Sequence, residues 1–200
     1  SLLENVSDIE RLPDLDPAHS GRLPMIIQAA LELRRQLPDA AIRVPVSGPF
    51  SLASHLCGLE TLLCECLTDP AAVRTALERL VAGQLRFRRA IEDAGLAPTF
   101  FESAASPPLV PPPLFDDLVL PPLRQLSAGA PCIIGGDTAP ILPSILSTGA
   151  TYVICPGETD QAAFMQTMAD APEVTVRINM QPSVFCARDP APALAEADQH

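Results

Sequence analysis

Four positions in this chain of 200 residues place a reactive side chain at the end of a short apolar segment. His55 is one of three histidines; His19 lies in a polar opening stretch and His200 is the last residue. Imidazole takes and returns a proton near neutral pH. His55 is therefore the proton-transfer candidate, with a hydrogen-bonded structural histidine as the plainer alternative. Glu102 and Ser103 end the aromatic segment 98–102 and precede the small residues Ala104, Ala105 and Ser106. A carboxylate there can serve as acid, base or ligand, or can simply order the loop. Gly135-Gly136-Asp137-Thr138 stands between an apolar run and a helical one. Its glycines allow close backbone approach, Asp137 accepts hydrogen bonds, and the helix that follows offers free N–H groups. A tight turn with Asp137 as helix cap uses the same residues. Asn179 closes the segment 174–178 as a pocket amide or a turn former.

The six cysteines point less clearly to chemistry. Cys64 and Cys66 stand two apart, so on a helix they face different ways. Cys57, seven before Cys64, shares its face, but no histidine stands at ligand spacing. Small buried hydrophobes are the expected role of these three, as of Cys132 and Cys155 within strands. Cys186 is assigned no role, and Tyr152, the only tyrosine, reads as strand core or lining. All 13 basic residues are arginine, so neither a Schiff-base lysine nor a P-loop lysine is available.

Alternating elements must position these groups. The polar, broken residues 1–21 read as an extended arm. Apolar spacing predicts helices over 22–37, 50–67 (interrupted near Gly58), 70–94, 113–127, 139–147 and 160–170. Asp69 and Pro70 suit the start of the longest, whose stripe is Val73, Leu77, Leu80, Val81, Leu85 and Ile91. A further helix may be sought from Pro190. Short apolar strands are expected at 42–47, 98–102, 131–134, 151–155 and 174–178. Five such strands alternating with helices predict an α/β fold with a parallel sheet buried on both faces.

Composition narrows the function classes. Hydrophobic residues make up 48% and charged residues 18%, which excludes intrinsic disorder. No apolar run approaches the roughly 20 residues of a membrane span. The net charge of −11 excludes a phosphate-backbone partner and an anionic membrane surface, so neither nucleic acid nor membrane is expected. The 23 prolines punctuate elements rather than form a tract. No leader pattern opens the chain, and reduced thiols in a cytoplasmic setting are expected.

Taken together, several segments resemble the uroporphyrinogen decarboxylase superfamily. The run from Ser47 to Leu56 (SGPFSLASHL) resembles its GPFTLA segment, and 14–24 (DLDPAHSGRLP) resembles the stretch upstream. Glu102-Ser103 through Leu120-Pro121 resembles its strand-end acid followed by a Pro- and Phe-containing loop. Gly136-Asp137-Thr138 resembles its HICGDT turn, and 177–182 its GNLDP segment. The resemblance implies a parallel (β/α) barrel of the TIM type. About five of eight β/α units have counterparts here, as a single partial barrel domain over 1–200.

The superfamily contains uroporphyrinogen decarboxylase and zinc-dependent methyltransferases that move methyl groups between corrinoids and acceptors. The Pro-Phe-Ser-Leu-Ala form is similar to the methyltransferase branch. By resemblance, His55, Glu102 and Asp137 are the catalytic candidates, and Phe50, Ser103, Gly136 and Asn179 the substrate-binding ones. The branch's zinc-binding His-x-Cys falls on Ile133 and Gly135, neither of which ligates a metal through its side chain, so no metal ligand is assigned. A corrinoid or corrinoid protein is the implied substrate, with a porphyrinogen decarboxylase or a non-catalytic tetrapyrrole binder as alternatives. The uncovered strand edges of five units make a homodimer the expected assembly.

Overall fold

The computed structural model describes residues 2–180. Helix α1 (Leu23–Gln36) leads into strand β1 (Arg43–Ser47). Two short helices follow, α2 (Pro49–Cys57) and α3 (Leu59–Thr68), and they part at Gly58, whose φ of 88° breaks the helical path. The long α4 (Pro70–Asp93) starts where the Asp69 side chain accepts the Ala72 N–H at 3.0 Å. Its buried stripe joins Val73, Leu77, Leu80, Val81 and Ile91 to Gln84 and Phe87, while Leu85 is only partly buried.

Strand β2 (Ala97–Phe101) follows, and beyond it the expected single helix over 113–127 is broken. It comprises α5 (Pro112–Leu114), a π-helical turn (Phe115–Val119) and α6 (Leu120–Ser127). Pro121 and Pro122 donate no N–H and their rings crowd the carbonyls one turn back, so the preceding turn widens. Strand β3 (Cys132–Ile133) precedes a 3-10 turn (Ala139–Ile141) and α7 (Leu142–Leu146), again divided by prolines. Strand β4 (Tyr152–Cys155), helix α8 (Gln161–Met168) and strand β5 (Thr175–Ile178) complete the described residues. The expected helix from Pro190, like Cys186, lies outside them.

Every strand pairing is parallel. β1, β2 and β3 form one sheet, with Pro45 opposite Thr99 and Phe101 opposite Ile133; β4 and β5 form a second, with Tyr152 opposite Thr175. β3 lies beside β4, so the two sheets continue one wall. Strand alternation sends Val44 and Val46 under the helices and leaves Arg43, Pro45 and Ser47 on the opposite, concave face. The helical side holds the core, in which Phe50, Phe100, Phe115 and Phe164 are fully buried. Truncating any of these to alanine costs about 3–5 kcal/mol.

Residues 1–21, read from sequence as an extended arm, include a 3-10 helix (Val6–Arg11). Three residues per turn put Val6 and Ile9 on one side, and both are fully buried against the main core. The Val6 N–H donates to Glu65 at 3.1 Å, and Arg79 and Arg86 both pair with Asp14. Asp14 is held below the usual carboxylate range by those two guanidinium hydrogen bonds. Among the described residues no single helix is long and apolar enough to cross a membrane.

Candidate functional site

Because all five strands run parallel, their C-terminal ends form one rim, and in α/β folds that rim carries the chemistry. Ser51, His55, Glu102, Ser103, Gly136, Asp137 and Asn179 all follow strand C-termini.

Glu102 is the centre of the first cluster. It comes directly after β2, donates its N–H to the Ile133 carbonyl at 2.9 Å, and is fully buried. The register that places Ser47 beside Phe101 brings the start of α2 over its carboxyl group. That group accepts the Ser51 N–H at 2.7 Å and the Phe50 N–H at 3.1 Å, and makes a short hydrogen bond with the Ser51 hydroxyl. A carboxyl at a helix N-terminus satisfies donors that have no partner within the helix. The Ser51 Oγ also accepts the N–H groups of Ser103 at 2.8 Å and Ala104 at 3.0 Å. Ser51 therefore ties α2 to the loop after β2. Gly48 is required here, because a Cβ would overlap the Glu102 carboxyl group. Burial raises the Glu102 pKa to about 7, against the opposing hydrogen bonds from Ser51 and Phe50.

His55 sits one turn along α2, exposed, with Nδ1 2.6 Å from the Ser51 carbonyl oxygen. A carbonyl only accepts, so Nδ1 carries the hydrogen and the neutral ring presents the Nε2 lone pair outward. Phe50, in contrast, turns its ring into the core; only its backbone reaches Glu102.

A second cluster joins the loops after β3 and β4. Asp137 accepts from the Thr159 hydroxyl at 2.8 Å, and that hydroxyl accepts the Ala139 N–H at 2.8 Å. Gly136 has a φ of 84° and packs on the Ser106 side chain, where a Cβ would not fit. This contact joins the two clusters. Asn179 is held by its backbone: its N–H donates to Cys155 at 2.9 Å and its carbonyl accepts from Gln161 at 2.7 Å. No described hydrogen bond ties Asn179 to His55, Glu102 or Asp137.

Sequence reasoning identified Glu102, Ser103, His55 and Asp137 but overlooked Ser51, which links the first three, and Thr159, which holds Asp137. The position of Ser51 in the first turn of a helix beginning Gly-Pro was the available signal. For Thr159, 22 residues from Asp137, the sequence held none.

The site does not fit zinc. Ile133 and Gly135 offer no ligand atoms. Cys132 is buried, and strand alternation directs it away from the Ile133 side. Burial, reinforced by the Glu102 charge, pushes its thiol up to about 12. Among the described residues no group of three or more His, Cys, Asp or Glu side chains could hold a metal ion.

The family described as uroporphyrinogen decarboxylase (URO-D) matches residues 1–197. A methylated-thiol–coenzyme M methyltransferase of Methanosarcina mazei is 29% identical over 140 residues, covering 65% of this chain and 37% of that protein. A solved methyltransferase structure from Methanosarcina mazei superposes with a TM-score of 0.56 at 19% identity, over 66% of this chain and 41% of that one. At this identity the likeness is one of fold, and it agrees with the parallel α/β arrangement of the TIM-barrel type. The chain spans well under half the length of either relative.

Proposed function

The chain belongs to the uroporphyrinogen decarboxylase family, and from that premise we propose that it is a methyltransferase-branch member that receives a corrinoid or other methyl-bearing substrate at the strand C-terminal rim. The observation that carries this reading is His55, an exposed residue whose Nδ1 is committed to the Ser51 carbonyl at 2.6 Å and whose Nε2 has no described partner. In this role His55 takes the proton of a thiol or similar acceptor as the acceptor atom bonds to the methyl carbon and the donor–methyl bond breaks. Ser103, Gly136, Asp137 and Asn179 bound the substrate, Asp137 orienting it through a carboxylate that Thr159 holds in place. Glu102 is a positioning residue, since its oxygens are committed to α2. No step uses zinc, for which the residues do not fit. The 29% identity to a methylated-thiol–coenzyme M methyltransferase supports this branch.

A second reading, a non-catalytic corrinoid or tetrapyrrole binder, is favoured by Ile133 and Gly135, which occupy the positions where the branch places its zinc ligands. Visible-spectrum titration with cobalamin and with a porphyrin, together with metal analysis of the same sample, tests both. Cobalamin binding with His55-dependent methyl transfer to a thiol supports the first reading; binding without transfer supports the second. Porphyrin binding with carbon dioxide release from a porphyrinogen would replace both with a decarboxylase. Binding of neither tetrapyrrole overturns all three.

A further inference from the structure

A cavity of about 210 Å³ lies outside the sheets, between the opening segment, α2 and α4. Ile9 and Leu15 wall it from the opening segment, Leu52 and Leu56 from α2, and Leu80 from α4. No strand residue and no part of the concave face borders it. Gly83 lets the opening segment lie close over α4, since a Cβ there would stand 3.3 Å from that of Leu15. Gln84, one turn after Leu80, also lines the cavity and is only 5% exposed. Its Nε2 donates to the Ser47 carbonyl at 2.6 Å, and its Oε1 is buried without any hydrogen-bond partner. Turning the amide over would set two carbonyl oxygens against each other, so Oε1 is the atom left over. A buried acceptor left unmatched is costly and uncommon in folded proteins. Among the described residues, Arg79 is the one charged member of the wall. Its guanidinium is already committed, to Asp14 at 2.8 Å and to the Leu12 carbonyl at 2.7 Å. An apolar hollow with one unmatched polar atom is the composition of a small-molecule site.

We propose that this cavity binds a small neutral aromatic molecule with a single N–H or O–H donor, of the phenol or indole class, the donor on Gln84 Oε1 and the ring against Leu52, Leu56 and Leu80. Volume sets the size: a cavity of about 150 Å³ accepts benzene, so this one takes a substituted ring or two small fused rings. The wall sets the charge. An anion would meet only an arginine that is already paired, and a cation would meet no carboxylate, so either would be buried without a partner. The one unmatched acceptor calls for one donor. A rigid ring also loses little conformational freedom on entry. Water alone is a poor occupant, because a buried water takes about two to four polar partners and this wall offers one unmatched atom. The site is separate from the rim chemistry, because His55, Glu102 and Asp137 do not line it.

Fluorescence titration with indole tests the assignment, with indene, the same fused rings without the N–H, read by its displacement of indole. The chain has no tryptophan, so indole emission carries no background from the protein. The emission is expected to shift to shorter wavelength on binding. Indene should bind about tenfold more weakly than indole, the difference made by one hydrogen bond to a buried acceptor. Gln84→Met should bring indole down to the affinity of indene. Leu52→Phe, which fills the cavity, should remove both, and His55→Ala should leave both unchanged, which separates this site from the rim. Equal binding of indole and indene by the parent protein overturns the proposal, and that comparison decides it even where Gln84→Met does not fold. So does an unshifted emission, a Gln84→Met variant that binds indole as well as the parent, a Leu52→Phe variant that still binds both, or loss of indole binding in His55→Ala.

Discussion

Two polar regions of this molecule follow opposite rules. Around Glu102 every group is answered: its oxygens take two backbone N–H groups and the Ser51 hydroxyl, and Ser51 takes two more. On the concave face Arg43, Thr99 and Tyr152 have no described partners. The first arrangement is that of a structural joint. A buried carboxyl with its hydrogen bonds satisfied holds α2 on the sheet, and its raised pKa is the mark of burial rather than of catalysis. The raised pKa of Glu102 therefore does not by itself mark a reacting group. Perturbed groups do mark functional sites in general, but both Glu102 oxygens are engaged by the start of α2.

Breaking the joint should have the largest effect. Glu102→Ala strands the Ser51 hydroxyl and the first N–H groups of α2, and is expected to lower unfolding free energy by about 3–4 kcal/mol in urea titrations. An effect below about 1 kcal/mol would show that the joint contributes little.

The joint also makes stability pH-dependent. In the unfolded chain Glu102 ionises near 4.5, and in the fold near 7. Between those values the folded state holds a proton that the unfolded state has lost, so stability is greatest at and below about pH 4.5 and falls as pH rises towards 7. The loss is on the order of 3 kcal/mol. Glu102→Gln should flatten that segment of the stability profile, measured as denaturation midpoint against pH.

Gly48→Ala tests the same joint from its other side. A methyl group directed at the Glu102 carboxyl must displace it or α2, and a loss of about 2–3 kcal/mol is expected.

The concave face should respond with the opposite sign. Thr99→Val replaces an unpaired buried hydroxyl with a methyl group, and is expected to raise unfolding free energy by about 0.5–1 kcal/mol. A loss of stability there would mean that the hydroxyl has a partner after all, and the contrast between the two regions would fail. Smallest of all, His55→Ala on the exposed face of α2 should change stability by no more than about 0.5 kcal/mol. It should nonetheless abolish any methyl transfer at the rim.

Much of the architecture could be read in advance. Short apolar runs bounded by glycine and proline marked all five strands, but the expected burial on both faces did not hold: β1 alternates exposed and buried residues, with only Val44 and Val46 under the helices. Asp69-Pro70 marked the start of α4 for a local reason, the capping of free N–H groups. The breaks at 115–119 and 139–141 were less legible. The prolines were visible, but whether a chain accommodates them by ending a helix or widening one turn depends on what packs around it. Val6 and Ile9 were hidden for a related reason: two apolar residues in a polar stretch carry no periodicity, and only the groove they fill makes them core.

For the site, residue types and strand-end positions were a matter of sequence alone: Glu102, Ser103, His55, Asp137 and Asn179 follow strands whose parallel order sends them to one rim. The absence of histidine and cysteine at 133 and 135 was equally plain there. What each side chain does was decided by tertiary structure. The register of β1 against β2 sets Gly48 and the first turn of α2 over Glu102, converting an apparent acid–base group into a joint. The same alternation that buries Val44 exposes Arg43 on the face where Thr99 lacks a partner. Hydrogen bonds act over about 3 Å, and which groups come within that distance across 50 residues of chain is settled by packing, not by spacing along the sequence.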